Sequence, residues 1–256
     1  MKQNIYDNDI FFEGYHEMRT TKKGTSANDL IEIPTIRSML PDLTGKKVLD
    51  LGCGYGENAK FFIEKGASYV LGTDISTNMI DIANKENYFD NVEFKVLAME
   101  DISNLDEKFD VVISSLAVHY VEDYEKLLTD IYNLLNDGGM FIYSQEHPIQ
   151  TGTILNKECN GSDNIYLGDK QYYLVSDYNR NGKRIVNWNN CDVVKYHRNF
   201  SYIINTIIKT NFEIDEIIEP IPNDEILKVK PKYENQFNRP YFLFIKMSKN
   251  IDKNQI

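Results

Sequence analysis

Three glycines fall within five residues, Gly52, Gly54 and Gly56, in the stretch VLDLGCGYGENAKFF from Val48 to Phe62. A short apolar run precedes them, with Asp50 two positions ahead of the first glycine. After them Ala59, Phe62 and Ile63 keep helical spacing until Gly66, a residue suited to the left-handed position past a helix end. A glycine turn between strand and helix lies at the carboxyl edge of an open α/β sheet, where such sheets bind ligands. Glycine there permits a tight turn and lets backbone lie directly against the ligand. The chain is therefore expected to be an α/β protein built around this loop.

The rest of the pattern extends that frame. Short β-rich runs at Lys46 to Leu51, Tyr69 to Asp74, Val92 to Leu97, Phe109 to Ser114 and Gly139 to Gln145 alternate with helical periodicities, which predicts a mainly parallel sheet with helices on both faces. Tyr124, Leu127, Leu128, Ile131, Leu134 and Leu135 mark one helix face, broken by Asp137-Gly138-Gly139. Phe200, Ile203, Ile204, Ile207 and Ile208 mark another, followed by strands at Glu213 to Glu219 and Tyr241 to Met247. No helix is predicted between that last pair, so they are expected to be antiparallel. From about Ile149 to His197 the sequence turns to Asn, Gly, Asp and Tyr with short β-like pieces. That is too long for a plain loop and predicts an inserted β-rich cap. The expected organisation is a helical lid segment at 1–45, a cofactor-binding core at 46–148, a substrate cap at 149–197 and the remainder of the sheet at 198–248.

Composition narrows the function. At 256 residues, 42% hydrophobic and 26% charged, the chain has the make-up of a globular protein with a sizeable core. A net charge of −11 with no cluster of Lys and Arg argues against binding a nucleic-acid backbone. No apolar run approaches the roughly 20 residues that span a bilayer. The first residues lack a signal core. Cys53, Cys159 and Cys191 lack metal-ligand spacing, which fits a reducing cytoplasm and no structural metal.

The loop itself excludes the commonest ligands. A nucleotide phosphate loop would require GxxxxGK[ST], which is absent. In a dinucleotide loop the third glycine would stand where Glu57 is, and an acid facing a pyrophosphate is repulsive. S-adenosylmethionine removes the conflict, because it carries a nucleoside without phosphate and a cationic ammonium and sulfonium. Asp74 ends the second strand eighteen positions after Gly56, where a carboxylate can accept both ribose hydroxyls.

VLDLGCGYG with LGTDIS, then AMED (Ala98 to Asp101), FDVVISSLAVHYVED (Phe109 to Asp123) and LLNDGGMFIYSQEHP (Leu134 to Pro148), resembles the motif series of the class I S-adenosylmethionine-dependent methyltransferases. The resemblance covers roughly Lys46 to Gln145 and implies a Rossmann-like seven-stranded sheet, parallel except for its last strand. It implies that Asp50, Gly52 and Gly54 lie at the cofactor, that Asp74 holds the ribose, and that Ile75 packs on the adenine. Met99 and Glu100 would meet the adenine edge, although Ala98 stands where many relatives have aspartate. Ser115 and Leu116 would line the methyl-donor end, and Tyr15 and Arg19 would close over the methionine tail.

Methyl transfer demands alignment of nucleophile, methyl carbon and sulfur, and a base only where the acceptor is protonated. His119, His147 and His197 each follow a predicted strand or the cap, and are expected to meet at one pocket mouth as candidate bases. Each also has a plainer reading: His119 as a loop cap, His147 as a turn residue before Pro148, and His197 as part of a hinge with Arg198. The expected activity is methylation of a small molecule. The alternatives are a binding module that has lost chemistry and serves as regulator or scaffold, and a nicotinamide oxidoreductase, against which the glycine spacing already speaks. Oligomeric state and acceptor are not legible in the sequence.

Overall fold

The computed structural model describes residues 2–21, 24–153, 164–188 and 191–250. Its strands are β1 (Lys47–Leu51), β2 (Tyr69–Asp74), β3 (Val92–Val96), β4 (Phe109–Ser114), β5 (Leu135–Glu146), β6 (Asn164–Leu167), β7 (Lys170–Tyr173), β8 (Gly182–Trp188), β9 (Cys191–His197), β10 (Phe212–Ile218) and β11 (Phe242–Lys249). Its helices are α1 (Asp9–Thr21), α2 (Ile33–Ser38), α3 (Glu57–Glu64), α4 (Thr77–Glu86), α5 (Tyr124–Leu134), α6 (Pro148–Thr151), α7 (Phe200–Lys209) and α8 (Asp224–Val229). Among these residues no helix is long and apolar enough to cross a membrane.

Seven strands form one sheet in the order β3-β2-β1-β4-β5-β11-β10, with β11 antiparallel to both neighbours. The two-residue period of a strand explains how this sheet is covered twice. Leu49, Leu51 and Val112 pack with α5 and α7 through Leu128, Ile131, Ile203 and Ile207, while Val48, Val111 and Ile113 pack with α2, α3 and α4 through Ile36, Phe62 and Ile80. Strands buried on both faces read as continuous apolar runs, as β1 and β4 do.

The last pair is antiparallel as expected, but the connection is not helix-free: α8 and a 3-10 segment at Pro231–Phe237 lie between β10 and β11. The direction is fixed because β11 inserts between β10 and β5. β5 also begins earlier than predicted. Leu135 pairs with Phe109, the register then shifts, and Val111 pairs with Met140, so the Asp137-Gly138-Gly139 break is a bulge within the strand.

The 149–197 segment contributes α6 and two antiparallel hairpins, β6–β7 and β8–β9. Cys159 and the tail from 251 lie outside the described residues. The amino-terminal segment crosses to the same edge of the sheet, anchored by Asp7. Its carboxylate accepts from Ser76 Oγ (2.5 Å), Asn78 N (3.1 Å) and Thr77 N (3.2 Å), capping the start of α4 from a distant part of the chain. Burial opposes ionisation of Asp7, but these bonds prevail and hold its carboxyl below the ordinary value. An acid depressed in the folded state stabilises above its unfolded pKa and loses that contribution as pH falls through the folded one. Asp7→Ala is expected to cost about 1–2 kcal/mol of this docking, read as faster tryptic cleavage of the first twenty residues with the core sheet intact.

Candidate active site

β1, β2 and β4 end together at the carboxyl edge, and the turns that follow them form the floor of a cavity of about 710 Å³, in the range of roughly 300–1,000 Å³ usual for small-molecule sites. After β1, Gly52, Gly54 and Gly56 have φ of +70°, +53° and +74°, a region open to glycine at little cost. A Cβ at Gly52 would stand 2.6 Å from Ala117 Cβ and 2.9 Å from Met99 Cε, whereas one at Gly54 would meet nothing within 4 Å. Gly52 is thus required by close packing of loops, and Gly54 leaves bare backbone against open space. Gly52→Ala combines this clash with a left-handed alanine, which alone costs about 1–2 kcal/mol. It is expected to lower the melting temperature and weaken ligand binding together, measured by thermal shift with and without ligand.

Asp74 is fixed by the loop it serves. Its Oδ2 accepts from Gly54 N (3.0 Å) and its Oδ1 from Ser76 N (2.9 Å), leaving each oxygen further acceptor capacity toward the cavity. Burial raises its pKa, against those two bonds. Asp50 is buried, and its Oδ2 has no hydrogen-bond partner. Burial, then the charges of Asp74 and Glu32, push its pKa up to about 7. Glu32 is also buried, bonded by Ser115 Oγ (2.8 Å) and Ser144 Oγ (2.6 Å), its carboxyl raised by burial despite those donors. Three carboxylates at one end of a cavity constitute a demand for a cation. Among the described residues no group of His, Cys, Asp and Glu is arranged to hold a metal ion.

After β4, Leu116 adopts φ +51° and donates its N–H to Ser144 Oγ (3.0 Å), the hydroxyl that itself bonds Glu32. Left-handed leucine is costly and persists only where its surroundings fix it. The Glu32–Ser144–Leu116 chain supplies that constraint at the cavity wall. Ile75, Met99, Glu100, Ser115 and Leu116 all line the cavity, Met99 and Glu100 beginning a 3-10 turn after the buried Ala98.

The roof comes from two directions. Tyr15 and Arg19 on α1 line the cavity, Arg19 ion-paired with Glu57 on α3. Trp188 of β8 stands edge-on to Phe11 (5.2 Å between centroids) and Tyr15 (5.9 Å). Gln3 brackets Val194 of β9, accepting from its N–H (2.5 Å) and donating to its carbonyl (3.3 Å). The amino-terminal segment and the β8–β9 hairpin therefore meet over the cavity.

The three histidines do not converge. His119 lines the cavity beside Tyr120, ring centroids 4.4 Å apart, buried and with Nδ1 unpartnered. His147 instead caps α6, its Nδ1 accepting from Ile149 N (3.1 Å) while Nε2 meets Glu219 (2.6 Å). His197 is fully buried between Thr151 Oγ1 (2.7 Å) and the Tyr178 carbonyl (2.8 Å). Neither borders the cavity, because each side chain is turned to the α6 region by its hydrogen bonds. Three other residues border it that sequence reading missed: Glu32, Glu146 and Lys195. Two of them carried a signal. Glu32 sits one helical turn before the buried Ile36, on an apolar stripe, and Lys195 occupies an inward position of β9 between Val193 and His197.

A family profile described as a methyltransferase domain matches residues 49–143. The chain is similar to an S-adenosylmethionine-dependent methyltransferase of Mesorhizobium loti known from a crystal structure, at 30% identity and a TM-score of 0.78, over 88% of this chain and 98% of that one. It is 38% identical over 258 residues to an uncharacterized protein of Haemophilus influenzae, covering 97% of this chain and 98% of that protein. A match of 36% identity over 100 residues to the juvenile hormone acid O-methyltransferase of Bombyx mori spans 37% of this chain and 36% of that enzyme.

Proposed function

Since the chain belongs to the S-adenosylmethionine-dependent methyltransferases, we propose that it methylates a small molecule held between the glycine-loop floor and the lid and hairpin that roof it. Bound there, the sulfonium supplies an electrophilic methyl carbon. The observation that carries this reading is the unpartnered, buried Asp50 carboxyl beside Asp74 and Glu32, which a cationic amino-acid tail would satisfy. Gly52 and Gly54 admit the cofactor's backbone contact, Asp74 takes the ribose hydroxyls, Ile75 covers the adenine, and Met99 and Glu100 border its edge. Tyr15 and Arg19 close over the tail, and Ser115 and Leu116 shape the methyl end.

In this reading residues 1–45 are the lid, 149–197 the acceptor cap, and 46–148 with 198–248 the core. A net charge of −11 with no run of Lys and Arg in the sequence supports a small acceptor over a nucleic acid. The thiols of Cys53 and Cys191 suit a reducing cytoplasm. The chain's own contribution to rate is alignment and exclusion of water under a closed roof. Incubation of the purified protein with S-adenosylmethionine and a pool of small metabolites should yield S-adenosylhomocysteine and a product heavier by one methyl, detected by mass spectrometry. Tight binding with no turnover of any acceptor would favour a regulatory module.

His119 is held neutral: burial, with Lys195 and Arg198 adding to it against Glu146, brings its pKa down to about 4. Its ionisation is therefore complete well below neutrality, and turnover between about pH 6 and 8 is expected to carry no inflection from this residue. An inflection near 6.5 that disappears in His119→Asn would contradict this.

A further inference from the structure

The proposed function leaves the acceptor open, and one part of the cavity wall constrains it. There Lys195 reaches in from β9 with its side chain 8% exposed, its Nζ 2.5 Å from Glu146 Oε1 at the end of β5. Tyr120 and Trp188 stand 6.0 and 5.6 Å from the ammonium, ring centroid to nitrogen. A lysine is seldom buried to this degree unless paired. Burial works against its charge, but the Glu146 carboxylate outweighs it and the ammonium stays charged. That ammonium has three donors. Among the described residues one is taken, by Glu146, and aromatic faces offer charge attraction without accepting a proton. Two N–H groups remain in a wall of the cavity.

Resting on the methyltransferase reading, we propose that the acceptor is an acid, methylated at an oxygen already anionic at neutral pH, and that Lys195 is the residue that receives it. The cavity wall sets Lys195 apart from the three buried carboxyls of the floor. Asp50 feels the charges of Asp74 and Glu32 on one part of the wall, while Lys195, with its partner Glu146, shares another part with His119, Tyr120 and Trp188; Arg198 donates to the carbonyls of Val121 and Glu122. Among the described residues the bases near Lys195 are committed or disfavoured: the Glu146 carboxylate is paired with Lys195, His147 and His197 are elsewhere, and His119 sits where a second positive charge is rejected. An anionic oxygen needs none. Its lone pair forms the O–CH3 bond as the S–CH3 bond breaks and that bond's electrons remain on sulfur. The negative oxygen and positive sulfonium end as a neutral ester or ether oxygen and a thioether, with no proton left over. Cancelling two charges inside a water-excluded cavity lowers the barrier more than in water. Glu146 keeps Lys195 charged and oriented between substrates.

The test uses the full chain with S-adenosylmethionine and three sets of probes: carboxylates (benzoate, cinnamate, octanoate), acidic phenols (4-nitrophenol, 2,4-dinitrophenol) and amines (benzylamine, phenethylamine), scored by S-adenosylhomocysteine formed. Turnover of the first or second set is expected, and which of the two identifies the acid. Lys195→Met should lower kcat/KM for that acid about a hundredfold, chiefly through KM for the acceptor, with partial recovery in Lys195→Arg and KM for S-adenosylmethionine unmoved. Because Lys195→Met leaves Glu146 unpaired, the Lys195→Met/Glu146→Gln double variant is carried alongside, its S-adenosylhomocysteine affinity verifying the fold. Should no probe turn over, calorimetry with benzoate and 4-nitrophenol on the protein–S-adenosylhomocysteine complex decides: binding lost in the double variant sustains the proposal, and no binding overturns it. Turnover of amines in preference to acids, or undiminished activity in both variants, also overturns it while leaving the methyltransferase reading standing. Failure to bind S-adenosylhomocysteine at all would remove both.

Discussion

Asp74→Ala is expected to weaken S-adenosylhomocysteine binding by two to four orders of magnitude. A hydrogen bond to a charged group contributes about 1.5–3 kcal/mol, and two ribose hydroxyls on one carboxylate give about 3–6. The carboxylate is well placed for this, since Gly54 N–H and Ser76 N–H hold one oxygen each and prevent the side chain from turning away. The same bonds tie the glycine loop to the end of β2, so part of the loss would come from a loosened loop. Asp74→Asn separates the two contributions. It retains one acceptor oxygen but sets an amide donor against one of those backbone donors, and is expected to fall between wild type and alanine. Calorimetric affinities within threefold of wild type for a folded alanine variant would remove Asp74 from the ribose role.

The second large effect concerns pH. Asp50 has a folded pKa of about 7 through burial next to Asp74 and Glu32, far above its ordinary 3.8. A carboxyl raised in this way binds its proton more tightly in the folded than in the unfolded state. The empty protein therefore loses stability as pH rises from about 4 to about 7, by up to roughly 4 kcal/mol. In the proposed function the lost stability is the reverse face of binding: the carboxylate that strains the empty site would attract the ligand's ammonium. S-adenosylhomocysteine affinity is expected to rise about tenfold per pH unit at most over pH 5 to 7, then level off. Asp50→Asn should bind weakly and without that slope, while melting higher than wild type at pH 7.5 in the absence of ligand. This is the trade of stability for function expected where a site holds uncompensated charge. A wild-type affinity flat across the same range would exclude Asp50 from the ammonium's company.

The glycine loop at the floor of the cavity was legible in the sequence because its determinants are local. Strand, glycine turn and helix follow one another within Val48 to Phe62, and the positive φ values of Gly52, Gly54 and Gly56 are what glycine spacing announces. Asp74 was placed by its distance along the chain, which the β-α repeat converts into distance in space. The rest of the cavity wall was not legible, since it is assembled from residues whose separation in sequence says nothing of proximity. Glu146 and Lys195 meet across 49 positions, and Glu32 reaches Ser144 across 112. His147 and His197 had the right chemistry and the wrong direction. One was spent on capping α6, the other on joining α6 to the Tyr178 carbonyl. The helices between β10 and β11 were missed for a related reason: α8 and the 3-10 turn are short, and sequence periodicity needs several turns to declare itself.

The account rests on the floor of the cavity receiving a cationic nucleoside without phosphate. Calorimetric titration of the pure protein with S-adenosylhomocysteine, S-adenosylmethionine and NADH tests it most directly. The account predicts saturable one-to-one binding of the first two and none of the third. Uptake of NADH with indifference to both sulfur ligands would contradict it.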